Sequence, residues 1–383
     1  MTLFQDAMFF LCLLILLIPG FFLGLFGKKR SWYVLAVSVI FDFLAIGRDV
    51  RQIVFFLIYL LWETLLVLVY MRIREKNGRQ GKPYAAALLL SIAPLVLNKI
   101  SGLAGWQLFQ ILGISYLTFK SAQVVIEIYD GVIKEVKALD FLGFLLFFPG
   151  ILSGPIDRSR RFLTDLHEKP GREAYMELVG DGLEKFALGV LYKFVLAAIC
   201  YQGVGFFADS YGFLAQVGYA YCYGVYMFFD FAGYSLMAVG VSYILGIRTP
   251  DNFRKPFLAL DIKDFWDRWH ITLSYWFRDF LFTRFVMQSM RHKWFSDRLK
   301  TACAGFIVDM FVMGIWHGLT PYYILYGLYH GVLLALTEVY QKKSGFYKKN
   351  KKKRWYKCLS WAVTMQLVMF GFLLFSGHLT GSM

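Results

Sequence analysis

Ala7-Met8-Phe9-Phe10-Leu11-Cys12-Leu13-Leu14-Ile15-Leu16-Leu17-Ile18-Pro19-Gly20-Phe21-Phe22-Leu23-Gly24-Leu25-Phe26 is an apolar run without a single charged side chain. As a helix it would rise about 30 Å, which matches the hydrocarbon core of a bilayer. Comparable runs recur at Ser31–Ile46, Gln52–Met71, Tyr84–Leu97, Phe141–Leu152, Phe186–Phe207, Val217–Phe231, Ala304–Trp316, Tyr322–Leu336 and Leu359–Phe375. With 58% hydrophobic residues in 383 and a mean hydropathy of +0.52, the chain is too apolar for a water-soluble globule. The reading is an all-α polytopic integral membrane protein, one integral domain over residues 1–383. Several of the runs are too short to span alone. They predict tilted, broken or re-entrant helices that face protein rather than lipid.

The first run could pass for a secretory signal, but no basic segment precedes it. Lys28, Lys29 and Arg30 come after it instead. We therefore expect a retained first span with its N-terminus outside. Forty-one Lys and Arg against twenty-six Asp and Glu leave a net charge of +15. The cations cluster at Lys28–Arg30, Arg72–Lys82, Arg158–Arg172, Arg284–Lys300 and Lys342–Lys357. Cytoplasmic loops of this kind rest on anionic membrane lipids and can meet an acidic partner. Counting runs between clusters places both termini outside the cell membrane. The run Lys348–Arg354 is wedged between spans, so it reads as a solvated loop at the lipid surface and not as a nucleic-acid site. Cys12, Cys200, Cys222, Cys303 and Cys358 are scattered without a CxxC pair, which suggests neither disulfides nor a metal site.

Three segments break the apolar pattern. One is Phe148-Pro149-Gly150-Ile151-Leu152-Ser153-Gly154-Pro155-Ile156-Asp157-Arg158. The second runs from Phe229-Asp230-Phe231-Ala232-Gly233-Tyr234-Ser235 through Asn252-Phe253-Arg254-Lys255-Pro256 to His270. The third is Gly314–Gly318, with Tyr326-Gly327-Leu328-Tyr329-His330-Gly331 shortly after it. Proline and glycine at membrane depth end or kink a helix, and such backbone is tolerated where it is buried or lines a cavity.

Histidine carries the chemistry available here. A neutral imidazole can take a proton from an attacking hydroxyl near neutral pH. His317 is the candidate general base, and His270 is a second base, an orienter or a stabiliser of developing charge. They lie 317 − 270 = 47 residues apart, so they come from different helices. Two hydrogen-bonded core histidines are the plainer alternative. His330 is a possible third site residue, whereas His167, His292 and His378 sit in polar stretches. The H-x4-D spacing of His292 and Asp297 lies in a cationic surface stretch and is read as chance. Ser274 shares a helix face with His270, but no nucleophile elbow, phosphate-binding loop or metal motif is present. An enzyme built this way would transfer a group that arrives already activated. Phe280–Lys300 mixes apolar and basic residues and is expected to form a membrane-surface helix. Arg284, Phe285, Val286 and Met287 are its candidate docking residues for a partner.

The ordered motifs Asp264-Phe265-Trp266-Asp267-Arg268-Trp269-His270, Trp276-Phe277-Arg278-Asp279 and Trp316-His317-Gly318 resemble the membrane-bound O-acyltransferase family, in its bacterial branch. The likeness covers about Leu112 to His330. Ile114-Ser115-Tyr116-Leu117-Thr118-Phe119-Lys120, Ile126-Glu127-Ile128-Tyr129-Asp130-Gly131 and Ser153-Gly154-Pro155-Ile156-Asp157-Arg158 resemble members that act in teichoic-acid D-alanylation rather than alginate O-acetyltransferases. The resemblance implies a ring of transmembrane helices around a central funnel and tunnel with short tilted helices. It implies His317 and His270 as catalytic residues, with Ser153, Asp230, Trp266, Trp316 and His330 expected along the substrate path. It further implies a D-alanyl thioester on the phosphopantetheine arm of an acidic carrier protein at the cytoplasmic face. The acceptor would be a hydroxyl of lipoteichoic acid or of an intermediate outside, and other D-alanylation proteins would take part. No metal and no permanently bound cofactor is implied. A polysaccharide O-acetyltransferase of the same family and a non-enzymatic transporter are the alternatives, although no repeated halves are visible.

Overall fold

A computed structural model describes residues 1–47, 49–103, 105, 111–210 and 212–380. Among them every regular element is helical. In chain order these are α1 (Ala7–Leu25), α2 (Ser31–Ile46), α3 (Val50–Asn77), α4 (Gly81–Leu103), α5 (Ile114–Tyr129) and α6 (Ala138–Leu146). Next come α7 (Ser159–His167) and α8 (Arg172–Val190), which runs through a π-turn at Leu191–Leu196 into α9 (Ala197–Ala208). The long α10 (Phe213–Ile244) precedes two short helices, α11 (Ile262–Trp266) and α12 (Ile271–Phe277). A second π-turn, Arg278–Phe282, leads to α13 (Thr283–Arg291), α14 (Arg298–His317), α15 (Pro321–Lys343), α16 (Gly345–Asn350) and α17 (Arg354–Phe375). Six helices among the described residues are long and apolar enough to cross a membrane: α1, α3, α4, α10, α14 and α17. The protein is an all-α, multi-pass membrane protein.

The chain forms two compact units, Met1–Val190 with Tyr234–Pro250, and Leu191–Gly233 with Asp251–Met383. In the first unit, Phe9, Phe41 and Phe148 stack in series, with centroids 5.2 and 4.4 Å apart. The α6 helix stops at Leu146, ahead of Pro149, and leaves its last carbonyls without helical partners. The buried Lys120 ammonium on α5 donates to two of them, Phe144 O and Leu145 O, both at 3.1 Å. The chain then turns tightly: a Cβ on Gly154 would meet Pro149 O at 2.0 Å. Gln123 donates to Asp157 O at 3.0 Å, and Arg161 binds the Asp157 carboxylate. The expected break at Phe148–Arg158 is therefore present, and its polar atoms are met from α5 and α7.

Two other expectations change. The stretch Phe229–Ser235 does not interrupt a helix, because α10 continues to Ile244. Farther along the same helix, Gly240 lets α10 approach Gly182 of α8, since a Cβ there would lie 2.5 Å from Gly182 O. Phe280–Lys300 is not one helix either. The helix α13 ends at Arg291, Lys293 adopts a left-handed φ of 54°, and Asp297 caps α14 by accepting from Lys300 N at 2.8 Å.

In the second unit, α14 and α15 form a close antiparallel pair that fixes the end of α14. Gly314 and Gly327 face each other with no room for a side chain: a Cβ on Gly314 would lie 2.5 Å from Tyr323 O and 3.1 Å from Gly327 Cα. Without a hydrophobic drive between helices in lipid, such close packing is what holds them together. Gly314→Leu is expected to destabilise the detergent-solubilised protein by about 1–3 kcal/mol or more, an overpacking cost. Gly345→Ala, in open space, should leave the thermal midpoint unchanged. Equal midpoints for the two variants would refute the close-contact account.

Candidate active site

His270 stands between α11 and α12 in a left-handed conformation, φ 44° and ψ 51°. That geometry costs a non-glycine residue about 1–2 kcal/mol, although histidine tolerates it better than most. A strand-like segment holds it in place. Arg254 N donates to Arg268 O at 2.9 Å, and Ile271 N donates to Asn252 O at 2.9 Å. The Asn252 side chain completes the clamp: its Oδ1 accepts from Thr272 N at 3.3 Å and from Thr272 Oγ1 at 2.5 Å. The first N–H groups of α12 are thus met by Asn252, because His270 makes no capping bond of its own. The His270 ring is buried and meets the edge of Phe231 at 4.7 Å. Burial, and next the neighbouring His317, hold its imidazole down at about 3, so it is neutral at physiological pH.

His317 is the last residue of α14, where Gly318 takes the chain off in an extended conformation. Only glycine fits there, since a Cβ would lie 2.4 Å from the Tyr323 ring. The imidazole is half-buried in an aromatic box: Trp316 at 4.5 Å, Phe375 at 5.1 Å, Tyr323 at 5.9 Å and Tyr326 at 6.4 Å. The two histidines come from separate helices, yet each feels the other's charge. The structure therefore brings them together.

Trp266 and His330 form the next layer. Trp266 Nε1 donates to His330 Nδ1 at 3.4 Å, which leaves the His330 proton on Nε2, facing Gly371 of α17. A Cβ on Gly371 would lie 2.4 Å from that nitrogen. His330 is buried behind the indole. Trp266 also walls a cavity of about 280 Å³ together with Ser274, Phe282, Asp309 and Met313. Of its lining, Ser274 lies four residues after His270, and Met313 lies one turn before His317 on α14.

Asp230 is ion-paired with Lys193 of the first π-turn. Ser153 belongs to the first unit, in the turn after Phe148–Gly150. Of the four docking candidates on α13, Met287 is the exposed one, at 65%. Arg284 and Phe285 are half-buried, with Phe285 against Trp294 at 5.7 Å. Val286 turns inward, its Cγ2 lying 3.2 Å from the position of a Cβ on Gly305. Among the described residues no group of three His, Cys, Asp or Glu side chains is arranged to hold a metal ion.

Residues 38–377 match the membrane-bound O-acyltransferase (MBOAT) family, and the chain belongs to it. It is an acyltransferase by that membership, which decides against the transporter alternative. The chain is 41% identical to the teichoic acid D-alanyltransferase of Bacillus subtilis (strain 168), over 98% of each chain. It is 39% identical to the teichoic acid D-alanyltransferase of Lacticaseibacillus rhamnosus, over 98% of this chain and 97% of that one. A probable alginate O-acetylase, AlgI, of Pseudomonas fluorescens is 30% identical over 80% of this chain and 61% of its own length.

Sequence reading missed two residues of this site. Asn252 gave no local signal, because its partner Thr272 lies twenty residues on. Asp309 did give one: an acid inside the apolar run Ala304–Trp316 is costly and invites a functional reading. Asn252→Leu, which cannot accept from Thr272, is expected to loosen His270 and lower acyl transfer by about 10–100-fold with normal protein yield. Wild-type rates in that variant would show that the clamp does not position the imidazole.

Proposed function

We propose that the chain transfers D-alanine from a carrier-protein thioester to a hydroxyl acceptor in lipoteichoic acid D-alanylation. The observation that carries this reading is the pairing of a buried, neutral His270 with a half-buried His317 close enough for its charge to act on the His270 ring. The near full-length likeness to D-alanyltransferases supports the substrate.

His317, at the end of α14, accepts the proton of the acceptor hydroxyl as its oxygen attacks the thioester carbonyl. The C–O bond forms, and the carbonyl electron pair moves to oxygen. Neutral His270 is suited to donate an N–H to that oxyanion, a preorganised interaction of the kind that dominates acyl transfer. When the intermediate collapses, the C–S bond breaks, and the thiolate of the phosphopantetheine arm takes the proton back from His317. A thioester is already activated, so neither a covalent enzyme intermediate nor a permanently bound cofactor is needed. The carrier, being acidic, docks on the basic cytoplasmic face at α13, around Arg284, Phe285 and Met287. The acceptor reaches the histidines from outside, and both termini lie on that outer side. A polysaccharide O-acetyltransferase activity is the second reading, supported by the lower and shorter likeness to alginate O-acetylases.

His317→Ala is expected to cut transfer from labelled D-alanyl carrier by at least about 10²–10⁴, the usual worth of general-base catalysis. Carrier binding should persist, and wild-type transfer would remove His317 from the mechanism. Met287→Asp should weaken carrier capture by about tenfold, through an added negative charge against an acidic partner. Because Met287 is exposed, folding should be unaffected. Unchanged capture would move the docking site off α13.

A further inference from the structure

The cavity beside the histidines is mostly apolar, walled by Trp266, Phe282, Phe306, Met310, Met313 and Leu334. Four charged residues line it: Asp267 is exposed, and the other three differ in what they bind. Lys263 is engaged by Glu338 and Gln341. Arg278 pairs with Asp279 at 3.1 Å and stacks on Tyr275 at 4.0 Å. Asp309 is different. It is 8% exposed; the Phe282 backbone hydrogen-bonds its carboxyl group, but Oδ1, shut off from solvent, has no hydrogen-bond partner among the described residues. A buried acceptor left in that condition is unfavourable unless something that enters the cavity satisfies it.

We infer that Asp309 accepts a hydrogen bond from an amide N–H of the phosphopantetheine arm, and so selects donors that carry the arm. The inference rests on the carrier-thioester reading above and adds a specificity residue to it. Asp309 lies eight residues before His317 on α14, about 12 Å along the helix axis. The reacting carbonyl has to sit at His317. The D-alanyl amine is attached to the carbon next to that carbonyl, so it is too close to the histidine to reach Asp309. The arm extends the other way, back from the sulphur. It carries one amide near the sulphur and another farther toward the phosphate, separated by aliphatic carbons. An apolar channel with one acceptor set well back from the reaction centre matches that pattern. The start of α14 comes directly after the cationic surface stretch where the carrier docks, so the arm would enter past Phe282 and Asp309 before reaching Met313 and His317.

The test compares two donors in membranes carrying the full chain, D-alanyl-S-pantetheine and the D-alanyl propyl thioester, which lacks both amides. Wild type is expected to prefer the pantetheine donor in kcat/KM by about tenfold, a value in line with one buried hydrogen bond. Asp309→Leu should bring the preference to within about twofold, mainly by raising KM, while Asp309→Asn, which keeps an acceptor oxygen, should restore most of it. The thermal midpoint in detergent and the capture of the loaded carrier should be similar in all three proteins, which reports that each is folded. A full preference in Asp309→Leu, or none in wild type, would overturn the assignment. So would an Asp309→Leu protein that stops distinguishing D-alanyl from propionyl pantetheine, because the carboxylate would then be reading the amine. If wild type transfers D-alanine from neither donor nor from the loaded carrier, the proposed function fails and this inference falls with it.

Discussion

Backbone that leaves the helix inside an apolar protein has to bring its own hydrogen-bond partners, and this requirement shapes both irregular segments. Each buried N–H or C=O left alone would cost about 1–3 kcal/mol. Around His270 the requirement is met by Asn252, whose carbonyl and side chain together bind three groups of residues 271 and 272. After α6 it is met by Lys120, which serves two terminal carbonyls at once. The left-handed turn at His270 persists because it is clamped from both sides, so the buried imidazole and its strained backbone share one support.

Helix packing supplies the other half of the site. The glycine face between α14 and α15 brings two backbones close enough that the end of α14 has one position open to it. That end carries His317, and the aromatic rings of α15 and α17 close around it. One histidine is thus held by polar bonds in a loop and the other by steric fit at a helix terminus. Their different exposures arise from those two supports. The sealed ring stays neutral and suits donation of a fixed N–H, while the half-buried one suits exchange of protons with an incoming hydroxyl.

The sequence made the membrane helices legible because apolar length is a one-dimensional property. Proline and glycine at 149–155 also announced a real break, since proline cannot continue the hydrogen-bond ladder. The same cue misled at Phe229–Ser235: a glycine alone does not end a membrane helix, and α10 runs through Gly233 to Ile244. In Phe280–Lys300 the composition was amphipathic throughout, and composition weighs neither the left-handed turn at Lys293 after α13 nor the Asp297 cap that starts α14. His270 and His317 stood out as ionisable groups among aromatics. Asn252 could not, because an asparagine that clamps a distant backbone resembles any loop asparagine. The roles of Asp230 and Ser153 as path residues drew on family likeness alone, and the Lys193 partner of Asp230 was not visible in sequence.

The π-turn at Arg278–Phe282 has a consequence of an evolutionary kind. A π-turn accommodates one residue more than an α-helix does over the same stretch, so it acts as a rotary offset of about 100° between α12 and α13. The helix bearing His270 and the surface helix α13 are joined in sequence but uncoupled in register. Substitutions on the outward face of α13 therefore leave the register of α12 unturned, so the two helices can diverge separately.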